Sequence, residues 1–313
     1  MARAAVLGRD LRVSVIGVRV PPVGRTDVRI AVEVASVSRS AATPPSILGS
    51  ELAGVIVEIG PDVREFVVGD RVIAVVRSGA WTTEIMLPSA AVSRIARTLP
   101  FDLSLLVPCS GLVAVAGLDA AGVRPGGVVL VAGAAGATSC IIAGLCRARG
   151  IDTVAICADH GVAEKIAPAG FGSIVVAADI ESGSTPSDLT AGRPIDAVID
   201  FTWQPAVVFD RFGLSADAAI VRIPSAHSYA TTPRAASEDP RLKHVSLVRF
   251  VATDRARTDE AVAELTAGLS TGSIRVPIVQ FSLDDAGAAF ERIRSGDYFG
   301  KVVVRARPAV GAG

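Results

Sequence analysis

The sequence predicts an α/β protein, a doubly wound parallel sheet joined to a β-rich portion, and three observations carry that expectation. Half of the residues are hydrophobic but only 4% are aromatic, a composition that fills layered cores from Ala, Val, Leu and Ile. The apolar run Gly127 to Val131 passes through small residues straight into Ile141 to Ala148, which carries apolar residues at helical spacing. From about residue 111 onward, strand and helix patterns alternate. At 313 residues, length suggests about two domains.

In chain order, Val28 to Val37, Ala53 to Ile59 and Arg71 to Val76 read as short strands, punctuated by Pro21-Pro22, Pro44-Pro45, Gly60-Pro61 and Gly69-Asp70. The alternating part predicts strand 128–132, helix 138–149, strand 153–157, helix 161–168, strands 173–177 and 196–200, and, after a further helix, strand 218–223. A helix from Thr258 to Leu269, a strand near Ile278, a helix from Ala286 to Ile293 and a closing strand Lys301 to Arg305 follow, the last expected to return to the first domain. Ser182 to Ser187 and Tyr229 to Pro240 are polar, turn-rich loops. The run Ala218 to Ile223 is expected at a sheet edge, the other reading being a strand that is interior or masked by the Tyr229 to Pro240 loop. An exposed edge leaves backbone donors and acceptors unpaired, so a two-fold copy covering it predicts a homodimer.

Lys plus Arg and Asp plus Glu balance at 31 each, which excludes a global field that would gather nucleic acid or an anionic membrane. A small, apolar molecule is the expected partner. Charge interrupts the first residues before signal-peptide length, and no later run approaches about 18 uninterrupted apolar residues. A cytoplasmic protein is therefore expected. Cys109, Cys140, Cys146 and Cys157 match no zinc or redox spacing and read as small hydrophobes in a reducing compartment.

The chemistry-bearing stretch is Gly133-Ala134-Ala135-Gly136-Ala137-Thr138-Ser139. A tight turn here would aim helix N-terminal N–H groups at an anion, as at the pyrophosphate of a dinucleotide. Gly133, Gly136, Ala137 and Thr138 are the candidate cofactor contacts, although Ala137 and Ser139 stand where close backbone approach favours glycine. A strand–helix junction that needs small residues only for packing is the other reading. For the far end of a dinucleotide, Cys157 occupies the position where a ribose-binding carboxylate is expected, and Asp159, two residues later, is either that carboxylate or a helix cap.

Gly49-Ser50-Glu51-Leu52-Ala53-Gly54, with Gly69-Asp70-Arg71-Val72, Gly79-Ala80-Trp81 and the terminal Gly300-Lys301-Val302-Val303-Val304, resembles the medium-chain dehydrogenase/reductase superfamily. The resemblance spans nearly the whole chain. It implies a GroES-like β domain from residues 1–110 plus 251–313, a Rossmann domain from 111–250, and an active site in the cleft between them. Zinc members of the superfamily place histidine where Ser50 stands, and the three histidines here, His160, His227 and His244, lack ligand spacing. No metal site is expected. The chain resembles instead the zinc-free quinone oxidoreductases and enoyl reductases, which implies hydride transfer from NADPH to a conjugated carbonyl compound.

In that branch Lys165 matches a lysine used against the 2′-phosphate of NADPH, though an exposed helix lysine is also ordinary surface. Ser38 matches an asparagine of that branch and would donate to a carbonyl, Arg39 would stabilise an enolate or anchor an acid, and an ordinary polar loop is the other reading of both; Tyr298 is the candidate proton donor. Trp203 would either crowd the nicotinamide or wall the substrate. Departures at Val113, Ala137, Ser139, Cys157, Phe201 and Ser38 leave two alternatives open: a cofactor-free cyclase or isomerase of the same fold, and a non-catalytic binding protein.

Overall fold

Proline- and glycine-rich turns divide the N-terminal part into short strands, β1 (Ala2–Leu7), β2 (Val13–Val18), β3 (Asp27–Ser36), β4 (Ser46–Ile47), β5 (Glu51–Ile59), β6 (Arg71–Val75), β7 (Glu84–Pro88) and β8 (Val92–Arg94), before one helical turn, α1 (Phe101–Ser104). Alternation then sets in: α2 (Leu112–Ala121), β9 (Val128–Ala132), α3 (Ala137–Ala148), β10 (Asp152–Cys157), α4 (His160–Ile166), β11 (Ser173–Val176), α5 (Ala177–Glu181), β12 (Ile195–Asp200), β13 (Leu214–Arg222), β14 (Leu242–His244), α6 (Leu247–Thr253) and α7 (Arg255–Thr271). The chain closes with β15 (Ile278–Ser282), α8 (Ala286–Ser295) and β16 (Lys301–Arg305). The computed structural model describes residues 1–36, 44–181, 190, 192–202, 206–223, 239–296 and 298–307.

Two compact units result, Met1–Pro108 with Ile278–Gly313, and Cys109–Pro277. In the first, β15, β16, β3, β5, β6 and β8 form one sheet in that order, β7 pairs with β3, and β2, β1 and β4 form a smaller sheet. β16 runs antiparallel to β3 through Val303–Ser36 and Val304–Ala35, so the closing strand does return to the first unit. Side chains alternate faces along these strands. Val32, Val302 and Val304 thus enter a core with Trp81, Leu52 and Ile56, while Val34 and Val303 enter a second core with Ile73 and Leu105.

The second unit is a parallel sheet in the order β11, β10, β9, β12, β13, β14, the doubly wound arrangement in which ligands bind beyond the carboxyl ends of the strands. All of β9 is buried, as a strand covered on both faces requires.

Two expectations need correction. Strand 218–223 is not an edge: Ile220 pairs with Val198 on one side and Leu242 on the other, because the short β14 that follows the turn-rich segment adds outside it. The domain boundary near residue 251 also moves. Arg257 grips Asp119 at 2.8 and 2.9 Å, and Arg149 grips Glu264 at 3.0 and 2.8 Å, so α7 belongs with α2 and α3 in the second unit. Although no uninterrupted apolar run is long enough to span a membrane, the helical stretch Phe101–Ala121 reaches a mean hydropathy of 1.8 and is, among the described residues, the one such helix. Two-thirds of it is buried inside the protein, as a core helix would be. The loop 182–187 and Tyr229 lie outside the described residues.

Candidate functional site

β9 ends in a turn wired to its neighbour strand. The N–H groups of Gly133 and Ala134 both donate to the Ile156 carbonyl, at 3.0 and 3.1 Å, and the Ala135 N–H donates to Gly133 O at 2.9 Å. Gly133 has φ +83°, a backbone state that glycine adopts without steric cost. Gly136 is the N-cap of α3, extended and with no side chain capping the helix. Its N-terminal N–H dipoles therefore face outward with positive partial charge.

The residues fit a pyrophosphate here. A Cβ placed on Gly136 would meet nothing within 4 Å among the described residues. Ala137 and Ser139, the departures from glycine, are both buried. Ser139 Oγ bonds back to Gly136 O at 2.7 Å, so their side chains point into the protein rather than across the approach to the turn. Thr138 is half-buried.

At the end of β10, burial pushes the Cys157 thiol above its usual range. Asp159 caps α4, its carboxylate accepting from Val162 N–H at 2.9 Å, which is the capping role left open by the sequence. Lys165 is exposed in the last turn of α4, and its side chain makes no hydrogen bond or ion pair with another described residue.

Sequence reasoning missed a polar cluster at the carboxyl ends of β12 and β13. Asp200 is fully buried and accepts from the N–H and the hydroxyl of Thr202, at 2.8 and 2.7 Å. The Arg222 guanidinium lies 3.5 Å from its other oxygen. His244, opposite Arg222 in register, is exposed but is held below the usual histidine range by partial desolvation and then by the Arg222 charge. An aspartate closing the apolar run of β12, and an arginine inside that of β13, were the available signals. Trp203 lies outside the described residues.

In the first unit, Ser38 and Arg39 lie outside the described residues. Directly before them, buried Ser36 donates to Glu51 Oε2, which also accepts from Lys301 Nζ. Glu51 and Lys301 are nine-tenths buried or more and come from opposite ends of the sequence, which is why neither stood out as a pair. Tyr298 is half-buried and packs against the first unit's core. Asp70 accepts from Val67 N–H and pairs with Arg94 at 2.8 Å, a structural role. Among the described residues no three His, Cys, Asp or Glu side chains converge.

Comparison with known proteins gives the class. An alcohol dehydrogenase GroES-like domain model matches residues 13–87, and a zinc-binding dehydrogenase domain model matches residues 176–304. The chain belongs to the medium-chain dehydrogenase/reductase superfamily. Among curated relatives it is 29% identical over 158 residues to a probable quinone oxidoreductase of Schizosaccharomyces pombe, covering 50% of this chain and 47% of that protein. It is 27% identical over 296 residues to the pikromycin polyketide synthase component PikAII of Streptomyces venezuelae, covering 90% of this chain and 8% of that protein. The chain thus spans less than half the length of these relatives. Among solved structures, the Escherichia coli quinone oxidoreductase complexed with NADPH superposes with a TM-score of 0.78 at 16% identity, over 97% of this chain and all of that one. The CurF ER cyclopropanase of curacin A biosynthesis superposes with a TM-score of 0.79 at 18% identity, over 97% of this chain and 99% of that one. These likenesses show the shared fold.

Proposed function

We propose that the protein is an NADPH-dependent reductase of an activated carbon–carbon double bond, in an enone, quinone or enoyl thioester, and that it works without zinc. The observation that carries this reading is the uncapped α3 N-terminus at Gly136, open to solvent at the carboxyl end of the central strand. Bound there, NADPH would supply a hydride to the β-carbon of the substrate. Gly133, Gly136, Ala137 and Thr138 would hold the pyrophosphate through backbone N–H groups, with Lys165 against the 2′-phosphate. Ser38 and Arg39 are assigned to the carbonyl side, where they stabilise negative charge on oxygen, and Tyr298 to proton delivery.

The test is a titration of the purified protein with NADPH and NADH, followed by loss of 340 nm absorbance with a benzoquinone and with an enoyl thioester. Saturable NADPH binding and turnover support the reading. No binding at millimolar nucleotide would reject it in favour of a cofactor-free role. The homodimer remains part of the proposal, with β14 in place of β13 as its outer strand. Light scattering at twice 32.0 kDa, falling to the single-chain mass in Leu242→Glu, would support it, and a single-chain mass for the unaltered protein would not.

A further inference from the structure

Far from the turn, the second unit holds a cavity of about 590 Å³ whose lining includes Arg147, Gly170, Thr271, Ser273 and Arg275 and no acidic residue. Arg147 sits in the last turn of α3, 11 residues beyond the N-cap Gly136, which separates the two by about 16.5 Å at 1.5 Å per residue. The cavity is thus distinct from the pyrophosphate turn.

Neither guanidinium group is neutralised by a carboxylate among the described residues. Arg147 donates to the carbonyls of Ala169 and Gly170, each at 3.3 Å, and to that of Ser273. Arg275 donates from Nε to Gly272 O at 3.1 Å, which leaves its two terminal nitrogens without an acceptor among the described residues. Carbonyls orient a guanidinium but carry no countercharge. Elsewhere in this unit Arg149, Arg193, Arg222, Arg241, Arg255 and Arg257 each stand beside a carboxylate. In a chain with equal numbers of acids and bases, two adjoining arginines with no acid form a local excess of positive charge.

The frame around them is rigid. Ile274 is clamped between α3 and α7, since a Cβ on Gly144 would lie 3.0 Å from its Cα and one on Gly268 would lie 2.5 Å from its Cδ1. Its N–H bonds Gly268 O at 2.9 Å, which fixes the segment carrying Ser273 and Arg275. On the other wall, the Arg147 Nη1 occupies the space a side chain at Gly170 would need, 1.9 Å from the ideal Cβ.

We propose that this cavity is a binding site for a small phosphate-bearing molecule, held by Arg275 and Arg147. A tetrahedral oxyanion offers acceptor oxygens in several directions and so suits two guanidinium groups reaching it from different walls. The inference does not depend on whether the turn at Gly136 binds a cofactor.

Calorimetric titration with inorganic phosphate, against chloride at matched ionic strength, tests it. A saturable site should appear, persist in Gly136→Asp, and weaken about tenfold or more in Arg275→Gln. Arg275 is exposed, so this variant is expected to fold, with circular dichroism as the check, and Arg147→Gln serves as the second arm. Absence of saturable heat, equal affinity in Arg275→Gln, or loss of binding in Gly136→Asp would each overturn the assignment. So would tighter binding of succinate than of phosphate, because the planar carboxylate would then be the preferred chemistry.

Discussion

Thr202 closes one side of the turn at Gly133: a Cβ on that glycine would lie 2.9 Å from the Thr202 methyl carbon and 3.3 Å from the Phe201 Cβ. Thr202 is itself tied to buried Asp200, so the contact links β12 to the phosphate-side turn and has little room to yield. Gly133→Ala should lose about 1–2 kcal/mol from the left-handed backbone alone, with the clash added. Combining it with Thr202→Ser removes the methyl and should recover only the clash. Urea denaturation of the single and double variants measures this, and an unchanged midpoint in Gly133→Ala would show that the turn relaxes freely.

Gly136→Asp is expected to separate stability from binding. Its Cβ meets open space, and aspartate is a favoured N-cap, so the folded protein should keep or gain a few tenths of a kcal/mol. The added carboxylate would stand where the pyrophosphate binds, so NADPH affinity should vanish. Thermal melts with and without NADPH read both effects. A variant that still shifts its Tm with NADPH would move the cofactor away from this helix.

The buried Glu51–Lys301 pair should respond unevenly to substitution. Lys301→Met leaves Glu51 charged and buried without its ammonium, and should destabilise by about 3–5 kcal/mol. The double variant Glu51→Gln, Lys301→Met removes the stranded charge and should recover much of that loss. Denaturation midpoints of the single and double variants provide the comparison, and equal loss in both would mean that packing, not charge, makes the pair matter.

His244 gives a pH dependence with a definite sign. Its folded-state pKa lies below the ordinary value of 6.5, first through partial desolvation and then through Arg222. Between the folded-state value and 6.5 the unfolded chain binds more protons, so stability rises with pH in that window and falls on acidification through it. Urea midpoints at several pH values across the window should decline less in His244→Gln than in the unaltered protein. Identical slopes would assign the acid sensitivity to other groups.

Local pattern and spacing determined much of this protein. The strand Val128–Ala132, the small-residue turn, the following helix and the closing strand Lys301–Arg305 were legible because burial on both faces and helical periodicity leave their mark within a few residues. So were the superfamily's glycine-bearing segments.

Tertiary structure alone decided the rest, because those relationships join residues far apart in sequence. Glu51 and Lys301 meet only when β16 returns beside β3. Strand 218–223 became interior because β14, three residues long and carrying no strong pattern of its own, paired outside it. Asp159 reads equally well as a ribose ligand or a cap until its carboxylate is seen on the Val162 N–H, and Ala137 and Ser139 look like obstructions until their side chains are seen to turn inward. Residue type limits what a position can do, but the direction of the side chain, which only the folded chain fixes, selects among those uses.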